Sequence, residues 1–235
     1  MLNIIANSFS EVFAKDMRKT FWQTFILAII CYAALFTGIA YFFHHTTFFA
    51  TPWLENAIDI LGGVLSAVIS LFLLPALISI FSELFSDRII DHTEATYFPK
   101  APAPTPVSLS TGILYSLKFS GKAAFYTLGM FIAFILILPF YFIPVLNFLL
   151  VIISSTIMYL INGYLIGKGY FDTVAMRHMS PEEASALWSR HRFRLLFAGV
   201  IIAFVFTVPV LNLLAPIFSF CLMTQMFWKV KGLKD

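Results

Sequence analysis

The chain has 235 residues, of which 60% are hydrophobic and only 11% charged, and its formal net charge is +3. A soluble domain of this length cannot hide so much apolar side chain, because surface grows with volume. Soluble proteins also carry about 25% charged residues, so the deficit points to lipid as solvent. The small net charge gives no reason to expect nucleic acid as a partner.

The N-terminal stretch, 1–19, places Ile5, Phe9, Phe13 and Met17 at four-residue spacing and reads as an interfacial amphipathic helix. Glu11, Lys15 and Asp16 interrupt it, and no small-residue cleavage site follows a short apolar core, so no cleavable signal peptide is expected. Thr20 to Leu54 then carries no formal charge, and its first part, 20–43, is apolar enough to span a bilayer. The uncharged segment 60–82 predicts a second span, with Trp53 near the outer interface. Gly62, Ser66 and Ser70 form a ridge of small residues on that span, suited to close helix packing or to pore lining.

Residues 83–122 read as a cytoplasmic extension and linker. Glu83, Asp87 and Asp91 recur every four residues as an acidic stripe with Glu94 alongside, expected to pair with the basic cluster around Arg190. Pro99, Pro102, Pro104 and Pro106 make the following linker stiff and extended. Residues 123–167 hold no charge and are broken by Pro139 and Pro144, which predicts a helical hairpin with arms just long enough to cross. Within 168–194, Ser180-Pro181-Glu182-Glu183 has the pattern of a capping box with proline in the first turn. The short helix it starts carries Trp188 and runs into the bases Arg190 to Arg194, as a membrane-surface element would.

The last uncharged run, 195–228, is broken by Pro209 and Pro216. Its first arm, 195–208, reaches about 21 Å at 1.5 Å per residue, short of a hydrocarbon core of about 30 Å. A re-entrant hairpin is expected there. The two hairpin turns share Pro-Val-Leu-Asn, at Pro144 to Asn147 and Pro209 to Asn212, 65 residues apart, and define a parallel repeat.

The fifteen Lys and Arg residues fall in four groups: Lys15 to Lys19, Arg88 to Lys122, Lys168 to Arg194, and Lys229 to Lys234. The segment from Phe43 to Asp59, which holds His44, His45, Glu55 and Asp59, has none, and neither do the hairpin turns. Positive-inside bias therefore predicts that both termini are cytoplasmic. The fold expected is all-α and integral to the membrane. It has two long transmembrane helices, two helical hairpins, at least one of them re-entrant, and an amphipathic N-terminal helix, in a single membrane domain.

No enzymatic motif is present, so neither an enzyme nor a cofactor is expected. The five histidines are scattered, which argues against a metal site. Cys31 and Cys221 both lie in apolar runs and read as small buried hydrophobes. Arg18 and Lys19 stand before the first span, and two readings apply to them. They can anchor the helix on the positive side, or they can bind an oxyanion with the help of the helix N-terminus, a role that Asp16 opposes. Asn147 and Asn212 follow their prolines and either cap the returning half-helices or line a path between the hairpin tips with Pro144 and Pro209.

Three blocks of sequence together resemble the CysZ-type family, which shares its domain with etoposide-induced proteins. They are Glu94-Ala95-Thr96-Tyr97-Phe98-Pro99, Asn162-Gly163-Tyr164-Leu165-Ile166-Gly167-Lys168-Gly169-Tyr170-Phe171, and Val208-Pro209-Val210-Leu211-Asn212-Leu213-Leu214-Ala215-Pro216. The resemblance implies a bacterial inner-membrane protein linked to sulfate uptake for cysteine synthesis, with hemi-penetrating hairpins and oligomeric assembly. It also implies a sulfate-binding segment before the first span. The matching residues here are Asp16-Met17-Arg18-Lys19, which keep two cations and carry an acid in place of the family's glycine. The partners expected are thus sulfate or a related anion, the lipid bilayer and further copies of the chain. A membrane scaffold or assembly factor without transport is the alternative.

Overall fold

The computed structural model describes residues 1–46, 73–74, 76–105 and 109–233. Helices dominate, and no strand occurs among the described residues. In chain order they are α1 (Leu2–Val12), α2 (Lys15–His45), a helical segment at 76–84, α3 (Ser86–Tyr97) and α4 (Leu109–Ile137). A 3-10 turn (Leu138–Phe142) leads to α5 (Pro144–Ala175), then α6 (Pro181–Arg190), α7 (Arg192–Thr207), α8 (Pro209–Asn212) and α9 (Ala215–Lys231). Most of the second expected span, the ridge of Gly62, Ser66 and Ser70, and the segment holding Trp53 lie outside the described residues.

Three helical stretches are long and apolar enough to cross a bilayer: Lys15–Ile39, Leu117–Phe142 and Leu146–Ala175. The first covers 20–39 of the expected span at 20–43, and helix α2 runs through the rest. The other two are the arms of the first hairpin, and both are long enough to cross. Their side chains face outward: Phe142 is 84% exposed, and Phe125, Phe131, Leu136 and Phe148 are also exposed. Soluble proteins do not present apolar surface on that scale. The chain is an integral membrane protein of helical class.

The second hairpin is built differently. Helix α7 has 16 residues and α9 has 17, or about 24–26 Å each by helical rise. Every residue of α9 from Ala215 to Trp228 is buried within the protein. It is the central post of the fold, and α1, α3, α5 and α7 all pack on it. The two turns nevertheless start alike. Ile143 (φ −94°, ψ 111°) and Val208 (φ −85°, ψ 116°) are both extended, as residues before proline must be, and each proline opens a helix. They diverge one turn later. Pro216 has no N–H to give to the Asn212 carbonyl, so α8 stops at Asn212. The equivalent position in the first hairpin is Val151, and α5 runs on through it to Ala175.

Helices α5 and α7 meet through glycines of the Asn-Gly-Tyr block. A Cβ on Gly199 would stand 2.1 Å from the Gly163 carbonyl oxygen. A Cβ on Gly167 would stand 2.7 Å from the Gly199 Cα. The two backbones can approach only because these positions carry no side chain.

Helix α1 is amphipathic, but its inward face is not the expected one. Ile4, Ser8, Glu11 and Val12 are buried in the main core, while Phe13 is exposed and Ile5 and Phe9 are half-buried. The register is set by protein contacts such as Phe9 against Phe218, whose ring centroids are 4.5 Å apart. Both cysteines are free; Cys221 is buried and Cys31 partly so.

Candidate functional site

Helix α2 begins directly after the turn at Phe13 and Ala14. The N–H of Arg18 is already used by the Ala14 carbonyl, at 2.9 Å. The N–H groups ahead of that first helical bond belong to Lys15, Asp16 and Met17, and no side chain caps them. Arg18 and Lys19 are exposed, and no ion pair among the described residues engages either. The segment thus offers two free cationic side chains one turn inside an uncapped helix N-terminus, an arrangement that attracts anions.

The placement of these cations follows from helical period. Met17, Thr20, Thr24 and Ala28 are the buried stripe of α2. Asp16 and Gln23 face α3, where Asp16 lies 3.8 Å from His92 Nδ1 and Gln23 accepts a 2.8 Å hydrogen bond from Arg88. Arg18 and Lys19 occupy the third face, in line with the exposed Trp22, Ile26, Ile29 and Ile30. They head the outward-facing apolar stripe, so an anion held there would sit at the membrane boundary.

Behind this segment lies a polar junction within the core. Glu11 is buried and accepts hydrogen bonds from Thr93 (2.6 Å) and Gln225 (3.4 Å), and Gln225 also bonds Ser8 (3.1 Å). Loss of solvent raises the Glu11 carboxyl from its ordinary 4.5 to about 7. A second cluster sits nearby. Glu94 Oε1 accepts from Trp228 Nε1 at 2.9 Å and lies 2.8 Å from His178 Nε2. These contacts join α1, α3, the end of α5 and α9 into one block, from which α2 departs.

The acidic stripe takes other partners than Arg190. Arg177 bridges Asp87 (3.3 Å) and Asp91 (2.5 Å), Glu94 meets His178, and Glu83 accepts a 3.3 Å hydrogen bond from Thr173. Arg190 is exposed at the end of α6. The stripe faces the end of α5, which reaches it because that helix continues past Gly167 to Ala175. The capping box at Ser180 is fully formed, with Glu183 N–H donating to Ser180 Oγ (3.3 Å) and Ser180 N–H to Glu183 Oε2 (2.9 Å).

Neither hairpin asparagine caps a helix. Asn147 lies a full turn inside α5, its N–H bonded to the Ile143 carbonyl, and the N-cap is Ile143 itself. Asn212 is the last residue of α8, and the N-cap of α9 is Leu214. The Asn212 Oδ1 is buried without a partner among the described residues. Pro144 and Pro209 are both first helical residues, where the missing N–H costs nothing.

Sequence reasoning missed a buried pair on α5. Lys168 and Asp172 form an ion pair one turn apart, both nearly inaccessible to solvent. Tyr115 Oη accepts from Lys168 (2.8 Å) and donates to Asp172 Oδ2 (2.9 Å). The Lys168 ammonium also lies 5.8 Å from the Trp188 ring. The spacing Lys168-Asp172 was the available signal, since i and i+4 charges of opposite sign share a helix face.

The helical span pattern, the paired proline turns and the basic first turns of α2 define a class, the polytopic helical membrane proteins with broken hairpins. Over residues 4–216 the chain matches the family Sulfate transporter CysZ/Etoposide-induced protein 2.4, and it belongs to that family. No curated protein matches it.

Proposed function

We propose that this protein mediates inward movement of sulfate, or a closely related oxyanion, across a bacterial inner membrane to supply cysteine synthesis. Its family membership over residues 4–216 is the observation that carries the reading. The unpaired Arg18 and Lys19 at the start of α2 support it, because they place positive charge at the cytoplasmic end of the span, the side towards which an inward-moving anion is drawn. Both termini are cytoplasmic in this reading, following the one-sided placement of Lys and Arg. The second hairpin, 195–228, dips into the membrane without crossing it, consistent with the short α7 and the wholly protein-covered α9. The tips at Pro144, Asn147, Pro209 and Asn212 shape the path in this reading. The outward apolar faces of α4 and α5 serve lipid and neighbouring copies of the chain in a homo-oligomer.

Purified protein in proteoliposomes should take up radiolabelled sulfate above the level of empty liposomes. A second reading, a membrane scaffold without transport, rests on the lack of an acid or base in the expected span 20–43 and between Ala123 and Gly167. Sulfate uptake no greater than in empty liposomes, together with a stable co-purifying partner, would favour it.

A further inference from the structure

A cleft of about 430 Å³ opens between the helical segment 76–84, the beginning of α4 and the end of α5. That volume lies in the range of small-molecule sites. Its walls combine two carboxylates, Glu83 and Asp172, with the hydroxyls of Ser79, Ser120 and Thr173. Aromatic rings of Tyr115, Phe119, Tyr170 and Phe206 complete it over a floor that includes Leu165 and Ile166. No Lys, Arg or His lines it among the described residues. Sulfate therefore finds no counter-charge there.

The electrostatics favour the opposite sign. Asp172 is offset from behind by Lys168 and Tyr115, so the net charge of the cleft falls to Glu83. Glu83 is exposed, takes only the 3.3 Å hydrogen bond from Thr173 and enters no ion pair among the described residues. Asp172 and Thr173 lie in the last turn of α5, and Met176 is its C-cap. A carboxylate and several aromatic rings around an apolar floor recognise a cation that is itself partly apolar.

We propose that this cleft binds an alkylammonium group. Two sources share that chemistry: the amine of a membrane-lipid headgroup, and a free amine in solution. The position fits the first, since the cleft joins the ends of both membrane-crossing arms, α4 and α5, away from their shared turn. The inference stands apart from the sulfate reading, and absence of sulfate uptake leaves it intact.

The test uses the purified full-length protein in detergent, titrated calorimetrically with benzyltrimethylammonium and with its uncharged carbon isostere, neopentylbenzene. Saturable binding of the cation alone is expected. Glu83→Gln should weaken it about tenfold, as loss of one charge contact does. Glu83→Asp, which keeps the charge, should retain binding and shows that the site still folds. Equal binding by Glu83→Gln, equal binding of the isostere, or displacement of the probe by sulfate overturns the proposal. Displacement of the probe by dioleoyl-phosphatidylethanolamine but not dioleoyl-phosphatidylglycerol assigns the lipid source. Displacement by ethanolamine, with phosphatidylethanolamine inert, assigns the soluble one, and displacement by neither contradicts an alkylammonium ligand.

Discussion

Thr93 Oγ1 donates a 2.6 Å hydrogen bond to Glu11 Oε1, across a sequence separation of 82 residues and inside a core where no ion pair among the described residues reaches that carboxyl. The contact ties the N-terminal helix to α3 directly behind the basic segment of α2. Glu11 is a carboxyl placed where its charged form is costly, since burial raises it from 4.5 to about 7.

Stability should therefore depend on pH through Glu11. The folded value lies above the unfolded one, so the favourable contribution is complete below about pH 4.5 and is lost as pH rises through about 7. The gap between the two values corresponds to about 3 kcal/mol. Thermal unfolding of the detergent-solubilised protein should show a lower Tm at pH 8.5 than at pH 6. Glu11→Gln, which keeps the shape and the Thr93 contact, should flatten that dependence, and an unchanged slope in the variant would show that another group is responsible.

The glycine contact between α5 and α7 admits no side chain. Gly199→Ala forces a methyl to within 2.1 Å of the Gly163 carbonyl unless the helices separate. Overpacking of this kind costs about 1–3 kcal/mol, and more where backbone must move. Gly129→Ala is the matched control, because nothing lies within 4 Å of its position on α4. Tm should fall in the first variant and hold or rise in the second.

The Lys168–Asp172 pair gives a third expectation. Lys168→Met leaves the Asp172 carboxylate buried without its counter-charge, a loss of about 3–5 kcal/mol. Lys168→Met/Asp172→Leu removes both charges and should recover most of that loss. A double variant no more stable than Lys168→Met would show that the aromatic setting of Trp188 and Tyr115, rather than the charge pair, carries the stabilisation.

Much of this architecture was legible from sequence because it rests on local rules. The proline turns at Pro144 and Pro209, the capping box at Ser180 and the long apolar helices each follow from residues a few positions apart. The partners of the acidic stripe were not legible. Period identifies the face that Asp87 and Asp91 share, but what lies opposite depends on where α5 ends, and its continuation to Ala175 brings Arg177 there instead of Arg190. The Glu11 junction was hidden for the same reason, since Gln225 is 214 residues away in the chain. The Ile4, Ser8, Glu11 and Val12 spacing was a usable sign that α1 has a second, partly polar inward face. At the candidate anion site, the sequence located Arg18 and Lys19. Their exposure and their position at the head of the outward apolar stripe emerge only from packing against α3.

The central claim is that Arg18 and Lys19 attract an oxyanion that this protein carries inward. The most direct measurement is radiolabelled sulfate uptake into proteoliposomes by the wild type and by Arg18→Ala/Lys19→Ala, reconstituted at equal density and orientation. Uptake by the wild type should exceed that of empty liposomes and should fall about tenfold or more in the variant, as loss of two charge-assisted contacts implies. Equal uptake by the two proteins would contradict the role given to these cations.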